Sequence, residues 1–167
     1  MSFSGSTAVL TLIVNDLLYC SNIGDSRAVV CTQTKELTWK AKPLSVDHKA
    51  DHPQEAQRIL KNRGRLEPYR DENGEQMGPF RVWLQHEQLP GLAMTRSFGD
   101  AVASTVGVIC DPEIITHRIT KGTGKSNSAD KFLILASDGL WEFISNEQAM
   151  EAIVPCFMRN DIEEAVR

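Results

Sequence analysis

Two aspartates stand where strand-like segments end, and strand ends are rigid supports on which sheet proteins mount reactive groups. Asp138 comes two residues after the apolar segment Lys131–Ala136. The next residue, Gly139, lets a partner approach the backbone. Asp25 lies in a tight turn between two further strand-like segments. A carboxylate in such a place can bind a hard cation such as Mg²⁺ or Mn²⁺. Spacing alone leaves the plainer interpretation open, in which both residues only shape turns.

Other catalytic patterns are weak or missing in the sequence. It contains no Gly-x-Ser-x-Gly elbow, no phosphate-binding loop and no Cys-x-x-Cys pair. Two Asp-His pairs, at 47–48 and 51–52, have the spacing of a helical metal site, but Pro53 predicts that the helix begins after them. An aspartate nucleophile for phosphotransfer would want an acidic or hydroxyl residue two positions after Asp138, where Leu140 stands.

Composition and charge are those of an ordinary globular domain. The 167 residues are 41% hydrophobic and 24% charged, with a net charge of −4. No basic stripe is present, so we expect no nucleic-acid partner, and no apolar stretch reaches the roughly 18 residues that predict a membrane span. Three of the four cysteines lie in or beside apolar runs, which predicts reduced thiols and an intracellular protein, cytoplasmic or nuclear.

The first third of the chain predicts strands and then a helix. Ala8–Val14 is an apolar run rich in β-branched residues, and turn residues separate it from the strand-like segments Leu17–Ile23 and Arg27–Cys31, which predicts an antiparallel meander. A helix is predicted from Pro53, with Gly64 as the left-handed residue that ends it.

The middle of the chain predicts a surface excursion followed by more strands. Asn73-Gly74 indicates a polar hairpin within 67–88, and the segments Val106–Cys110 and Ile114–Ile119 read as short strands. A polar loop over 120–130 leads to the buried strand Lys131–Ala136.

The last third predicts two helices. Ser145 and Gln148 form a capping box, with Pro155 just beyond the helix, and Asp161 caps another helix that has run about two turns when the chain stops. Because a short helix is marginal without packing, this ending predicts a piece of a longer domain. Without repeats or a clear linker, residues 1–167 are expected to form one partial domain.

Seven stretches together resemble the type 2C (PPM) family of metal-dependent protein serine/threonine phosphatases, and they occur in family order over nearly the whole chain. They are Gly5–Ala8, Asn22–Val29, Leu44–Lys49, Glu55–Gly64, Leu92–Asp100, Asp111–Glu113 and Phe132–Trp141.

The resemblance implies an α+β fold, a layered β-sandwich flanked by helices, here incomplete at both ends. It implies that Asp138 ligates a catalytic metal pair, Mg²⁺ or Mn²⁺, and that Asp25 helps Asp138 to hold a third ion. Residues from about 45 to 92 resemble the flap of the family, and Arg96, Ser97 and Asp100 are expected to border the substrate cleft. The substrate implied is a phosphoserine or phosphothreonine protein, hydrolysed by metal-activated water.

The sequence also departs from the family pattern. The upstream Asp-Gly-His-Gly stretch and the late Asp-Asn pair are missing, so no intact catalytic set is expected and the isolated chain is predicted to be inactive. Missing strands predict exposed sheet edges and self-association. A non-catalytic, phosphatase-like interaction module stays open as the alternative.

Overall fold

The structure is a computed structural model that describes residues 3–122 and 128–166. Its contacts divide the chain into two compact units. The first unit comprises Met1–Ala8, Asn22–Asp25 and Val46–Glu113, and the second comprises Val9–Ser21, Ser26–Ser45 and Ile114–Arg167.

Within the described residues the chain forms eleven strands and five helices. The strands are β1 (Gly5–Ser6), β2 (Ala8–Val14), β3 (Leu17–Ile23), β4 (Arg27–Gln33), β5 (Trp39–Pro43), β6 (Arg65–Arg70), β7 (Gln76–Trp83), β8 (Pro90–Leu92), β9 (Phe98–Gly99), β10 (Glu113–Arg118) and β11 (Ala129–Ala136). The helices are α1 (Pro53–Lys61), α2 (Ala101–Ser104), α3 (Asp138–Trp141), α4 (Asn146–Met158) and α5 (Ile162–Ala165).

The second unit contains two three-stranded sheets, in the orders β10-β3-β2 and β11-β4-β5. Apolar side chains from both sheets form one buried core: Leu18, Cys20, Ala28, Val30 and Leu44. Because side chains of a strand alternate between its faces, the intervening residues of β4 lie on the opposite side of their sheet. Two sheets that share a core in this way form a sandwich.

Helices cover the outer face of the β11-β4-β5 sheet. Val29 and Cys31 of β4 pack with Trp141, Ala149 and Met150 of α3 and α4 in a second buried cluster. The strand β4 is therefore buried on both faces, which explains its continuous apolar run. This layering confirms the predicted α+β sandwich with flanking helices.

The first unit contains the sheet β6-β7-β8, the short pair β1-β9, and the helices α1 and α2. Its core is small and aliphatic and consists of Ile59, Val82, Ala103, Val106 and Val108. The strands β6 and β7 are antiparallel, and Asn73-Gly74 lies in the turn between them, with Gly74 at φ 81°. The predicted hairpin is confirmed.

The predicted three-strand meander is wrong in its third strand. The strands β2 and β3 are neighbours in one sheet, but β4 pairs with β5 and β11 in the other. Because β4 is apolar on both faces, it occupies the centre of its sheet, where core lies on each side.

The predicted strand over Val106–Cys110 is also wrong. Val106 donates its amide to Ala103 at 3.0 Å, and Gly107 has φ 97°, so the chain turns there. Only Ile109 makes an isolated bridge, to Arg96. The valines are apolar because they pack into the first unit's core, not because they pair in a ladder.

Two helix ends differ from the prediction. The left-handed residue after α1 is Arg63, at φ 62°, and Gly64 is needed for space, since a Cβ there would lie 2.5 Å from Ile59 Cγ2. Pro155 lies inside α4, where only one further turn follows, although a capping box at Ser145 and Gln148 begins that helix as predicted. Asp161 caps α5 by accepting from the Glu164 amide, also as predicted.

The polar segment 120–130 is shorter than predicted, because β11 begins at Ala129. The Asp130 carboxylate accepts a hydrogen bond from Thr32 Oγ1 on β4 at 2.6 Å. It also lies 2.8 Å from His117 Nε2 on β10. Residues 123–127 of the predicted loop lie outside the described residues. No helix in the described ranges is long and apolar enough to cross a membrane.

Candidate functional site

Asp25 lies in a constrained turn of the first unit and is only 3% exposed. The preceding residue, Gly24, has φ 97°, and a Cβ there would lie 2.3 Å from Thr7 Cγ2 and 3.2 Å from the Arg96 carbonyl oxygen. Glycine is therefore required both by the backbone conformation and by the close approach of these neighbours. Lys49 Nζ lies 3.9 Å from the Asp25 carboxylate.

His48 holds the same turn through two hydrogen bonds. The Gly24 amide donates to His48 Nδ1 at 3.1 Å, and the His48 amide donates to the Gly24 carbonyl at 3.0 Å. Because Nδ1 accepts, the neutral ring carries its hydrogen on Nε2, which lies 3.4 Å from Glu113 Oε2. Burial, followed by the charge of Arg96, lowers the pKa of His48, which keeps the ring neutral near pH 7.

A buried carboxylate, Glu55, lies at the centre of a second network in this unit. It is 3% exposed and accepts hydrogen bonds from both terminal nitrogens of Arg58, at 2.8 Å and 2.7 Å. Arg96 Nη2 donates to it at 2.7 Å, and Thr95 Oγ1 donates at 2.6 Å. We name these four residues, Glu55, Arg58, Thr95 and Arg96, the Glu55 network.

The charges of the Glu55 network explain the ionisation of its carboxylate. Burial raises the pKa of the Glu55 carboxyl, but the hydrogen bonds from Arg58, Arg96 and Thr95 outweigh burial and hold its pKa far below the usual range. Arg58 also donates to the carbonyls of Thr95 and Gly107, so one guanidinium joins α1 to two loops.

The three residues predicted to border the cleft all lie in the first unit, close to these networks. Arg96 donates to Glu55 and, at 2.9 Å, to the Asp111 carbonyl. Ser97 is 3% exposed. Asp100 has φ 44° and is 6% exposed, and its carboxylate lies over Gly5, where a Cβ would come within 1.9 Å of Oδ2. Their role towards a substrate stays a prediction.

Asp138 lies in the second unit, at the first residue of α3, and its side chain is exposed. The end of the preceding strand is fixed by Trp141 Nε1, which donates to the Ala136 carbonyl at 2.9 Å. The Arg27 guanidinium lies 5.2 Å from the Trp141 ring centroid and donates to Asn146 Oδ1 at 2.8 Å. An accessible carboxylate on such a rigid support suits a metal ligand.

Both aspartates are hard oxygen donors of the kind that Mg²⁺ and Mn²⁺ take, so their chemistry fits a divalent cation. No group of three or more metal-ligating side chains exists among residues 3–122 and 128–166. Whether either aspartate ligates a metal stays a prediction.

Sequence reasoning missed the Glu55 network and the contact of His48 with Gly24. The sequence alone places Glu55 in the helix predicted from Pro53 and in the Glu55–Gly64 stretch of the resemblance, and gives it no partner. The overlooked signal is that Glu55 and Ile59 lie four residues apart, on the same buried face of α1. A charge on the apolar face of an amphipathic helix indicates an ion pair.

Replacing Glu55 should destabilise the protein strongly. Glu55→Gln leaves the partly buried Arg58 and Arg96 without their buried counter-charge, which costs about 3 kcal/mol of unfolding free energy. Glu67→Gln is the matched control, because its ion pair with Arg65 is half exposed at the carboxylate and worth about 1 kcal/mol at most. Urea denaturation of both variants gives the comparison, and equal effects would contradict the central role of Glu55.

The stabilisation by Glu55 should be lost in acid. Since folding lowers the pKa of Glu55, its contribution is complete above the unfolded value of about 4.3 and falls as the pH drops further towards the folded value. The free-energy difference between wild type and Glu55→Gln should therefore be constant from pH 7 to about pH 5 and shrink below pH 4. Urea titrations at stepped pH measure it, and a difference that grows in acid would refute the assignment.

Comparison with known proteins agrees with these features. The family model for protein phosphatase 2C matches residues 2–166. The probable protein phosphatase 2C 72 of Arabidopsis thaliana is 44% identical over 91% of this chain and 43% of its own length. The probable protein phosphatase 2C 12 of Oryza sativa subsp. japonica is 39% identical over 99% of this chain and 40% of its own.

A solved structure gives the same result. The serine-threonine phosphatase 2C of Toxoplasma gondii superposes with a TM-score of 0.81 at 25% identity, covering 98% of this chain and 51% of that protein. The chain thus spans less than half the length of the two plant relatives and about half of the solved phosphatase. With a match that extends over nearly all of its residues, the chain belongs to the protein phosphatase 2C family.

Proposed function

We propose that this chain forms part of the catalytic domain of a protein serine/threonine phosphatase that requires Mg²⁺ or Mn²⁺. The family match over residues 2–166 carries the proposal, because the family is metal-dependent and acts on phosphoproteins. Two observations support it: the exposed carboxylate of Asp138 at a strand end, and the buried carboxylate of Asp25 in a fixed turn.

In the proposed reaction the bound cation would polarise the phosphate and lower the pKa of an attacking water. Asp138 would hold a catalytic cation from its position at the start of α3, and Asp25 would hold a further one. The described residues contribute orientation: Trp141 fixes the strand end before Asp138, and His48 and Gly24 fix the turn of Asp25. The remaining ligands would have to come from other sequence, so the chain by itself is expected to be inactive.

The test is metal-dependent hydrolysis of a phosphoserine peptide by the protein expressed from its complete reading frame. Asp138→Asn should lower kcat by about 100-fold or more, because the amide cannot replace the charge that the metal requires. Glu151→Gln is the matched control, since this carboxylate is also exposed but lies on α4 and not on α3. Excess chelator should abolish activity, and Mn²⁺ should restore it.

The alternative, a non-catalytic phosphatase-like interaction module, gives the opposite result in the same assay. A complete protein that binds Mn²⁺ but hydrolyses no phosphopeptide would favour it. Unchanged turnover in Asp138→Asn would refute the proposed role of this residue.

We propose an intracellular location, cytoplasmic or nuclear, on the basis of cysteine usage. The four cysteines are unpaired and three of them are buried. Burial raises the pKa of the Cys31 thiol to about 12, so this thiol is unreactive.

We also propose that the 167-residue chain self-associates through the edge strand β2. This strand ends its sheet, and its apolar side chains Leu10, Leu12, Ile13 and Val14 are 46–60% exposed. An exposed apolar edge is a template for pairing with another chain.

Light scattering of the chain over a range of concentrations should show association that Leu12→Lys reduces. Leu37→Lys is the control, because Leu37 is 74% exposed but lies in the turn before β5. A concentration-independent monomer in the wild type would exclude this edge as an interface.

A further inference from the structure

His48 is placed to control the turn that carries Asp25, and this use of the residue goes beyond the metal ligands proposed above. It binds both backbone polar groups of Gly24: its ring accepts from the Gly24 amide and its own amide donates to the Gly24 carbonyl. Asn22 Nδ2 donates to the same carbonyl at 3.1 Å. The backbone immediately before Asp25 therefore has all its hydrogen bonds to neighbouring groups of the first unit.

His48 is itself held in place by the Glu55 network. The Thr95 amide donates to the His48 carbonyl at 2.8 Å, while the Thr95 hydroxyl lies 2.6 Å from Glu55 Oε2. A continuous series of hydrogen bonds thus runs from the Glu55 carboxylate through Thr95 and His48 to Gly24. Each contact lies within the first unit.

Gly24 is closely packed as well as hydrogen-bonded. Thr7 and the Arg96 carbonyl lie against it, at the distances given above for a Cβ. His48 is 2% exposed, so water does not compete for Nδ1. Losing this acceptor would leave a buried amide without a partner, and the turn would have to shift to satisfy it.

From this geometry we propose that His48 is a positioning residue for Asp25: its Nδ1 fixes the Gly24 amide and so holds the Asp25 carboxylate in the orientation that binds a divalent cation. The proposal rests on the proposed function, because it requires Asp25 to be a cation ligand. It assigns no contact between His48 and the cation. Groups that orient a ligand in this way commonly change metal affinity by about 10–100-fold when they are replaced.

Two substitutions of His48 distinguish the role of Nδ1 from that of Nε2. In His48→Asn the side-chain oxygen can occupy the place of Nδ1 and keep the acceptor for Gly24. In His48→Gln the carboxamide reaches the place of Nε2, so the acceptor for Gly24 is lost although size and polarity are similar. His86→Gln, at an exposed histidine, is the control.

The experiment measures two quantities on the protein from its complete reading frame. Hydrogen–deuterium exchange of the peptide containing Gly24 reports the hydrogen bond, and electron paramagnetic resonance of free Mn²⁺ reports affinity. His48→Gln should exchange about tenfold faster at Gly24 and bind Mn²⁺ about tenfold more weakly at the site that Asp25→Asn removes. His48→Asn should stay within about threefold of wild type, a rescue that loss of packing alone would not produce.

The double variant Asp25→Asn/His48→Gln should bind Mn²⁺ no more weakly than Asp25→Asn, because the two residues act through one site. The role of His48 would be overturned, and that of Asp25 would stand, if His48→Asn and His48→Gln lost Mn²⁺ affinity equally. The same conclusion would follow if His48→Gln kept wild-type affinity while Asp25→Asn lost it. Wild-type affinity in Asp25→Asn would overturn the proposed role of Asp25 and this proposal with it.

Discussion

The first unit depends on a carboxylate that has been removed from water between two guanidinium groups. Burying an isolated charge costs several kcal/mol, and for Glu55 the hydrogen bonds from Arg58, Arg96 and Thr95 offset that cost. The carboxylate thereby requires a fixed arrangement of helix α1 and the segment at 95–96. Because each partner donates to the same buried carboxylate, the members of the network stabilise one another.

This requirement extends to residues that carry no charge. Arg58 reaches the Gly107 carbonyl, which lies in a turn that the sequence wrongly predicted as a strand. Thr95 connects Glu55 to the His48 backbone, and His48 connects both to Gly24. The hydrogen bonds that begin at Glu55 on α1 therefore fix the position of the turn before Asp25. This fixation does not require a large apolar core in the first unit.

The sequence predicted the elements well where local chemistry determines them. The capping box at Ser145, the Asp161 cap and the Asn73-Gly74 hairpin depend on residues within four positions of one another, and all are confirmed. The sheet to which β4 belongs depends on partners that are distant in sequence, so periodicity could not give it. For the same reason an apolar run at Val106–Val108 could equally be core-facing turn or strand.

The candidate site was predictable to a similar degree. The positions of Asp25 and Asp138 at strand ends follow from local pattern, whereas the partners of Glu55 lie up to 41 residues away and are visible only in the structure. The family resemblance supplied roles for the two aspartates but no reason for the residues around them. Those reasons are steric and electrostatic, as at Gly24, which must be glycine for two independent causes.

The two aspartates differ in a way that bears on how each would bind a cation. Asp138 is exposed, so a cation there would keep several waters, as Mg²⁺ commonly does, and would gain from the rigid strand end more than from exclusion of solvent. Asp25 is buried, with Lys49 already 3.9 Å away, so an incoming cation must displace or tolerate that ammonium. Because the Asp25 carboxylate is buried and faces a competing charge, it has little freedom to adjust its position. Its affinity for a cation therefore depends on how accurately the turn that carries it is fixed. The hydrogen bonds of His48 to Gly24 provide that accuracy, which is why we place the control of this ligand in the surrounding backbone and not in the carboxylate itself.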